Sequence, residues 1–169
     1  QGRVEATGRG VVFGLREFFR HPEDVKMAGL QGNSLEGKSV IIQGLGNVGY
    51  YTANILQEED RAKIIAILEW DGGLYDPNGL DVNDVFQYKV ANKGGVTGYP
   101  KAEYFEDSKP LLERECDILI PAAMEGVINR GNAAKIQAKV IAEAANGPVT
   151  FAAEVVLKER GDRKSTRLN

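Results

Sequence analysis

The sequence predicts an α/β fold with a doubly wound, mostly parallel β-sheet. Four short apolar runs, at 38–43, 64–68, 117–120 and 139–142, are separated by helical and loop segments. Continuous apolar runs, in contrast to alternating ones, are typical of strands buried on both faces of a parallel sheet. Strands that alternate with helices in this way are the pattern of doubly wound proteins.

A helix is predicted near the start of the chain, over residues 8–21. Its apolar positions recur with helical spacing and form one stripe: Val11, Val12, Leu15, Phe18 and Phe19. The helix should end before Pro22, because proline disfavours helical backbone in the residue that precedes it.

Residues 38–69 are predicted to form a strand–helix–strand unit, the core of the domain. The segment KSVIIQ (38–43) is its first strand, residues 47–59 are its helix, and IIAIL (64–68) is its second strand. The two strands should lie side by side and parallel, since a helix connects them.

The second half of the chain continues the alternation with weaker patterns. Residues 71–80 are rich in Gly, Asp and Pro and predict a loop, and Asp81 predicts the N-cap of the helix that follows. The remaining predicted elements are the strands DILI (117–120) and KVIA (139–142), a helical turn at 132–136 and a last helix over 151–159.

The heptapeptide QGLGNVG, residues 43–49, is the most specific motif. Gly44, Gly46 and Gly49 match the G-x-G-x-x-G pattern between a strand and a helix, which is typical of dinucleotide-binding (Rossmann-type) domains. The first glycine permits the tight turn, the second lets the backbone approach a pyrophosphate, and the third allows close helix–strand packing. The first turn of the helix, with Asn47 and Val48, should direct its free N–H groups to the phosphates.

Glu69 ends the second strand, 20 residues after Gly49, where a carboxylate is expected to bind the adenosine ribose hydroxyls. A carboxylate there would repel a 2′-phosphate, and no arginine follows it in the next residues, Trp70, Asp71 and Gly72. The sequence therefore favours NAD over NADP as cofactor. The alternative is a glycine-rich turn without a ligand and a surface glutamate.

A second phosphate-binding pattern is excluded by its context. Gly32, Gly37, Lys38 and Ser39 satisfy G-x-x-x-x-G-K-[ST], but Lys38 and Ser39 lead directly into a strand. In a true P-loop these residues open a helix. We therefore expect no nucleotide hydrolysis.

Composition excludes several classes of function. The net charge of −3 offers no general attraction for nucleic acid, and no apolar run is long enough to cross a membrane. A single histidine makes a His-cluster metal site and a Ser-His-Asp triad improbable, and a single cysteine fits a reducing compartment. We expect a cytoplasmic protein, with the mitochondrial matrix as the alternative, and no bound metal.

Residues 162–169, DRKSTRLN, differ from the rest of the chain. They contain one apolar residue and show no periodicity, so we expect them to be disordered and of non-native origin. The dinucleotide-binding domain is accordingly expected to span residues 1–161.

Several motifs in order resemble the amino-acid dehydrogenases, and among them the glutamate dehydrogenases. The resemblance runs from Gly2 to about Gly161 and rests on GRVEATGRGVV, LEGKSVIIQGLGNVG, DGGLYDPNGLD, ECDILIPAA and AEAANGPVT. It implies contacts with the cofactor by Thr7, Asn47, Ala122, Ala123 and Asn146. Ala144 and Phe151 depart from the family pattern, which has glycine and proline there.

The resemblance also implies an activity: oxidative deamination of L-glutamate to 2-oxoglutarate and ammonia with hydride transfer to NAD(P), in a hexamer. The family's catalytic lysine and aspartate lie in a domain that would precede Gln1, so no catalytic residue is assigned here and the chain alone is expected to be inactive. Two alternatives stay open. One is a non-catalytic, regulatory dinucleotide-binding module, and the other is a dehydrogenase of nucleotide sugars or hydroxy acids.

Overall fold

The computed structural model describes residues 2–145, 147, 153 and 166–168 of the chain. A seven-stranded sheet in the order β4-β3-β2-β1-β5-β6-β7 forms its centre. The strands are β1 Ser39–Gln43, β2 Lys63–Glu69, β3 Gly72–Tyr75, β4 Glu103–Phe105, β5 Ile118–Pro121, β6 Val140–Ala142 and β7 Thr166–Leu168. The α-helices are α1 Gly2–Phe18, α2 Pro22–Met27, α3 Asn47–Glu58 and α4 Val82–Ala91.

The sheet is mostly parallel, as predicted. β2, β1, β5, β6 and β7 are parallel to one another, and at one edge β3 pairs antiparallel with both β2 and β4. The chain leaves β1 first towards β2 and later returns to its other side with β5. In open α/β sheets ligands bind at such a switch point, beyond the carboxyl ends of the strands.

Two apolar layers cover the sheet because successive side chains point to opposite faces. Val40 and Ile42 pack in the layer that contains the four α-helices, and Ile41 packs in the other layer, with Leu111 and Leu112. The second layer includes two 3₁₀ helices, Lys109–Glu113 and Ala133–Lys135. Both faces of the central strands are therefore dry, which explains their continuous apolar runs.

α1 is longer at its start than predicted and ends earlier. It spans Gly2–Phe18 and not 8–21, and a separate short helix begins at Pro22. Gly8 does not interrupt α1, because the missing side chain lets the helix approach α3: a Cβ there would lie 3.0 Å from the Tyr51 Cβ. His21 is extended and caps α2, so it belongs to neither helix.

The predicted loop 71–80 contains a strand. Gly72–Tyr75 pair with both β2 and β4, and Asp81 then caps α4 as expected, accepting a hydrogen bond from the Asp84 amide at 3.1 Å. The glycines serve packing here: a Cβ on Gly73 would overlap Leu111, and one on Gly72 would meet the Tyr104 ring. A pattern that indicates turns was in this case a closely packed strand.

The expectation of disorder for residues 162–169 is wrong for Thr166–Leu168, which pair in parallel with β6. A buried strand with an open edge accepts another segment through its backbone groups, whatever that segment's side chains. The predicted helix 151–159 lies outside the described residues, apart from Ala153. Within the described part of the chain, no helix is long and apolar enough to span a bilayer.

Candidate functional site: a groove at the carboxyl edge of the sheet

A groove of about 600 Å³ lies beyond the carboxyl ends of β1, β2 and β5. It contains three of the residues that the sequence singled out: Gly44, Glu69 and Ala123. Its other walls come from the β2–β3 turn, the 3₁₀ segment around Ser108–Pro110 and the loop that follows β5. The groove therefore lies at the switch point of the sheet, where such folds bind ligands.

The first and third glycines of QGLGNVG are required by packing. Gly44 has φ +92°, and a Cβ there would overlap the Cβ of Ala123. A Cβ on Gly49 would overlap the carbonyl oxygen of Gly44. The glycine-rich turn, the start of α3 and the loop after β5 are therefore in direct contact, without room for a side chain at either position.

The second glycine is different, because open space surrounds it. A Cβ on Gly46 would meet nothing within 4 Å, and its backbone φ of −75° is ordinary for any residue. Packing therefore gives no reason for glycine, whereas close approach of a ligand to the backbone does. Gly46 caps α3 without a side chain, so the first amides of the helix, with Asn47 exposed and Val48 half-buried, are open to an anion.

Glu69 is held in place by a lysine that the sequence did not single out. Its Oε1 accepts a 2.6 Å hydrogen bond from the Leu45 amide and forms an ion pair with Lys89 Nζ at 2.9 Å. Lys89 also donates to the Leu45 carbonyl oxygen at 2.9 Å. Because both side chains are mostly buried, at 8% and 16% exposure, the pair joins α4 to the glycine-rich turn.

Lys89 offsets the charge on which the preference for NAD was based. Among the described residues, the Glu69 Oε2 accepts only a longer hydrogen bond, 3.2 Å, from the Trp70 amide. Its contact with a ribose hydroxyl stays a prediction. The sequence pattern of α4 could have indicated this role of Lys89, because the lysine follows Val82, Val85 and Phe86 on the buried stripe of the helix. A lysine at such a position indicates a buried acidic partner.

Gln43 is a second residue of the site that the motif pattern did not single out. Its side-chain oxygen accepts a 3.2 Å hydrogen bond from the Ala123 amide, and its carbonyl oxygen accepts one of 2.8 Å from the Ala122 amide. The loop after β5 is thereby held beside the glycine-rich turn. Ala123 therefore lines the groove and Ala122 precedes it in the same loop, and the contact of either residue with a cofactor stays a prediction.

The β2–β3 turn consists of Trp70 and Asp71 and fixes a neighbouring loop. The Asp71 carboxylate accepts hydrogen bonds from the amides of Val96 and Thr97, at 3.1 and 3.0 Å, and from the Thr97 hydroxyl at 2.6 Å. Burial raises the pKa of Asp71, but these bonds outweigh it and hold the pKa below its ordinary value. Trp70 donates its Nε1–H to the Gly94 carbonyl oxygen at 3.0 Å.

The groove carries an excess of negative charge. Its lining includes one lysine and four carboxylates, namely Lys109, Glu69, Asp107, Glu113 and Glu125. Lys89 pairs with Glu69 from outside this lining. Three lining carboxylates therefore remain against one lysine, which disfavours an additional dianionic phosphate.

Six of the predicted residues that the structure describes do not line the groove. Five of them belong to the glycine-rich turn, the start of α3 and the loop after β5, next to residues that do line it: Gly46, Asn47, Val48, Gly49 and Ala122. The sixth is Thr7. Thr7 is exposed on α1, and its hydroxyl donates to the Arg3 carbonyl oxygen at 3.1 Å within the same helix. Asn146 lies outside the described residues. The roles of Thr7 and Asn146 stay predictions from the resemblance.

The P-loop-like segment behaves as the sequence indicated, and the Cys116 thiol is buried. Ser39 opens β1, and its amide donates to Asp117 at 2.9 Å, so it is committed to the sheet and not to phosphate. Burial raises the pKa of the Cys116 thiol, and the neighbouring Asp117 raises it further. In the described part of the chain, no group of three or more His, Cys, Asp and Glu residues could hold a metal ion.

The known proteins that this chain resembles in sequence and in structure include glutamate dehydrogenases. The chain is 47% identical over 161 residues to the mitochondrial glutamate dehydrogenase of Dictyostelium discoideum. It is 43% identical over 159 residues to the NADP-specific glutamate dehydrogenase of Saccharolobus shibatae. The hetero-hexameric glutamate dehydrogenase of Thermus thermophilus has a matching structure, with a TM-score of 0.75 and 28% identity over 99% of this chain.

The match covers most of this chain but a minor part of each relative. The match to the Dictyostelium enzyme covers 95% of this chain and 32% of that enzyme. The match to the Saccharolobus enzyme covers 94% of this chain and 35% of that enzyme, and the match to the Thermus chain covers 36% of that chain. The chain thus spans about a third of the length of these relatives. The family model for Glutamate/Leucine/Phenylalanine/Valine dehydrogenase matches residues 1–162, and the chain belongs to that family.

Proposed function

We propose that this chain binds a nicotinamide dinucleotide, NAD in preference to NADP, in the groove at the carboxyl edge of the sheet. The observation that carries the proposal is the contrast among the three glycines. Gly44 and Gly49 are required by packing, whereas Gly46 faces open space at an uncapped helix start. A pyrophosphate that approaches the Gly46 backbone accounts for that glycine, so the residues present fit the cofactor.

The preference for NAD rests on the charge of the groove. Asp107, Glu113 and Glu125 line it against Lys109, in addition to the Glu69–Lys89 pair. A 2′-phosphate would add about two negative charges to this groove. One relative is NADP-specific by name, so this family does not have a single preference.

The parent reaction that we propose is oxidative deamination of L-glutamate to 2-oxoglutarate and ammonia. Relatives named glutamate dehydrogenase support it, although the chain spans only about a third of their length. When bound, the nicotinamide ring supplies the hydride acceptor. This chain's share is to hold the cofactor: the α3 amides at the phosphates, Glu69 at the ribose, and the loop after β5 along the groove. Assembly into a hexamer, in the cytoplasm or the mitochondrial matrix, belongs to the same proposal.

The substitution Gly46→Asp tests the binding site with the least disturbance of the fold. Aspartate is a favourable N-cap, so α3 should keep its stability. Its carboxylate would occupy the open space at Gly46 and repel the phosphates. Calorimetric titration should show NAD bound by the unsubstituted chain, NADP bound at least about tenfold more weakly, and neither bound by the variant.

Gly10→Asp is the matched control, because Gly10 is exposed on α1 and also has nothing within 4 Å. It adds the same charge and should leave NAD affinity unchanged. Urea unfolding of both variants separates lost binding from lost structure. Equal NAD affinity in Gly46→Asp and in the unsubstituted chain would contradict the proposal. A parallel assay for glutamate-dependent reduction of NAD(P) distinguishes binding from turnover by this chain.

A further inference from the structure

The side chain of Trp70, the only tryptophan of the sequence, is unusually exposed, at 76%. An indole carries a large apolar surface, and most tryptophans are largely buried for that reason. Trp70 occupies the two-residue turn between β2 and β3, directly after Glu69. Met124, 61% exposed, lines the same groove, so the indole is part of an apolar surface at the groove and not an isolated exposed side chain. Such a surface in a groove indicates a place that a ligand covers.

The ring is nevertheless held in one orientation. Its Nε1–H donates to the Gly94 carbonyl oxygen at 3.0 Å, and the loop that begins at Gly94 is bound to Asp71 through Val96 and Thr97. In the part of the chain that the structure describes, no aromatic ring and no cation stacks on the indole. A fixed ring with free faces loses little entropy when it contacts a planar ligand.

The surroundings of the indole suit a flat, weakly polar group. Trp70 lines the groove together with Pro110 and Met124. The Ser108 hydroxyl lies in the same wall and donates to the Glu69 carbonyl oxygen at 3.3 Å. Glu69, the preceding residue, is where the adenosine ribose is expected. The base attached to that ribose is a few ångströms away from it, within reach of Trp70 in the same groove.

We propose that Trp70 is the stacking surface for the adenine base of the dinucleotide and that it determines affinity for the adenosine half. This inference rests on the proposed function and deepens it by naming a residue that recognises one half of the cofactor. The hydrogen bond at Nε1 then has the role of orienting the ring. Asp71 is a positioning residue for Trp70, because it holds the loop to which the indole is anchored.

The test compares Trp70→Ala with Trp70→Phe, since alanine loses both the ring and the anchor whereas phenylalanine loses only the anchor. AMP, nicotinamide mononucleotide and NAD are the probes, each titrated by calorimetry. Base–aromatic stacking predicts that Trp70→Ala weakens AMP and NAD binding by roughly tenfold or more. Trp70→Phe should stay within about threefold of the unsubstituted chain, and affinity for nicotinamide mononucleotide should not change.

Phe13→Ala removes another exposed aromatic side chain, 58% exposed on α1, and is the control that should change no affinity. In the unsubstituted chain, quenching of the Trp70 fluorescence by AMP and not by nicotinamide mononucleotide would support the inference independently.

Two outcomes would overturn the inference and leave the proposed function intact. Unchanged AMP affinity in Trp70→Ala would show that adenine does not stack there, and equal losses in Trp70→Ala and Trp70→Phe would reduce Trp70 to a loop anchor. Failure of the unsubstituted chain to bind NAD, NADP or AMP would overturn both.

Discussion

At the scale of single residues, Gly49 determines how closely α3 approaches the turn before it. Any side chain at this position would overlap the carbonyl oxygen of Gly44, which is a backbone atom. Backbone cannot rotate away as a side chain can, so the strain must spread into the β1–α3 turn. That turn also forms one wall of the groove.

We predict that Gly49→Ala lowers the free energy of unfolding by about 2 kcal/mol or more, as overpacking does in closely packed interiors. Gly10→Ala is the matched control, because it introduces the same methyl group into a helix where nothing lies within 4 Å. It should raise stability by about 0.5–1 kcal/mol. Urea midpoints measure both, and equal midpoints for the two variants would contradict the packing argument.

Glu69 and Lys89 offer a second prediction at this scale, on cofactor preference. Glu69→Gln keeps the shape of the side chain and removes its charge, which leaves the Lys89 ammonium uncompensated beside the groove. The affinity for NADP relative to NAD should therefore rise by about five- to tenfold. Paired titrations of the variant and the unsubstituted chain with both cofactors measure the ratio of the two affinities. An unchanged ratio would show that the Glu69–Lys89 pair does not discriminate between a hydroxyl and a phosphate at the 2′ position.

At the scale of elements, the β2–β3 turn and the loop 92–98 form one unit through the Asp71 carboxylate. Three hydrogen bonds from Val96 and Thr97 reach this carboxylate, and the Tyr104 hydroxyl donates to the Asp71 carbonyl oxygen. A Cβ on Gly95 would overlap the same carboxylate, so the loop follows it closely. This unit orients the turn that carries Trp70.

Asp71 should make stability depend on pH in the acidic range. Its pKa is lowered in the folded chain from an ordinary value of 3.8, so the ionised form stabilises the fold. That contribution is fully present above about pH 4 and is lost as pH falls through the lower, folded pKa. We expect Asp71→Asn to lower the free energy of unfolding by about 1 kcal/mol at pH 7, a modest amount because the site is partly exposed. At the acid end of the range the substitution should have no effect.

Urea unfolding of Asp71→Asn between pH 7 and pH 2.5 measures this difference. Glu103→Gln, at an exposed carboxylate on β4, is the control and should not alter the pH profile. A constant difference between Asp71→Asn and the unsubstituted chain at all pH values would show that neutral hydrogen bonding, and not the charge, holds the loop.

The sequence predicted those elements whose patterns are local. β1, β2, β5 and β6 are continuous apolar runs, and the glycine spacing located the β1–α3 turn. β3 was missed because Gly72 and Gly73 are glycines to make room for Tyr104 and Leu111, which lie more than 30 positions further along the chain. Lys89 was missed for the same reason: its partner Glu69 and the carbonyl oxygen of Leu45 are brought to it only by the tertiary fold.

At the scale of the whole molecule, the far edge of the sheet is completed by β7. β7 lies outside the segment 1–162 that matches the family model, whereas its partner β6 lies within that segment. The three β6 residues are buried, so without a neighbour this strand would present an apolar edge with unpaired backbone groups. The pairing satisfies backbone hydrogen bonds and does not require particular side chains.

The Val140 amide donates to the Asp117 carbonyl oxygen at 2.9 Å, on the β5 side, and successive amides of a strand point to opposite sides, so the Ile141 amide faces β7. We therefore predict that ending the chain after residue 161 speeds hydrogen exchange at the Ile141 amide by about tenfold, the effect of losing a backbone hydrogen bond. Arg167→Ala, which keeps the β7 backbone, should leave exchange at this amide unchanged. Mass-spectrometric exchange on both chains gives the comparison. Unaltered protection after the truncation would mean that β7 contributes nothing to the stability of the edge.

The antiparallel direction of β3 has a consequence for how this protein can change. A parallel third strand would need a long crossover after Glu69, and long connections tolerate insertions. Here the connection is Trp70 and Asp71 alone, between two hydrogen-bonded strands. An added residue would shift the register and turn every side chain of β3 to the other face. This side of the groove can therefore diversify by exchanging side chains at fixed positions, and not by growing or shortening a loop.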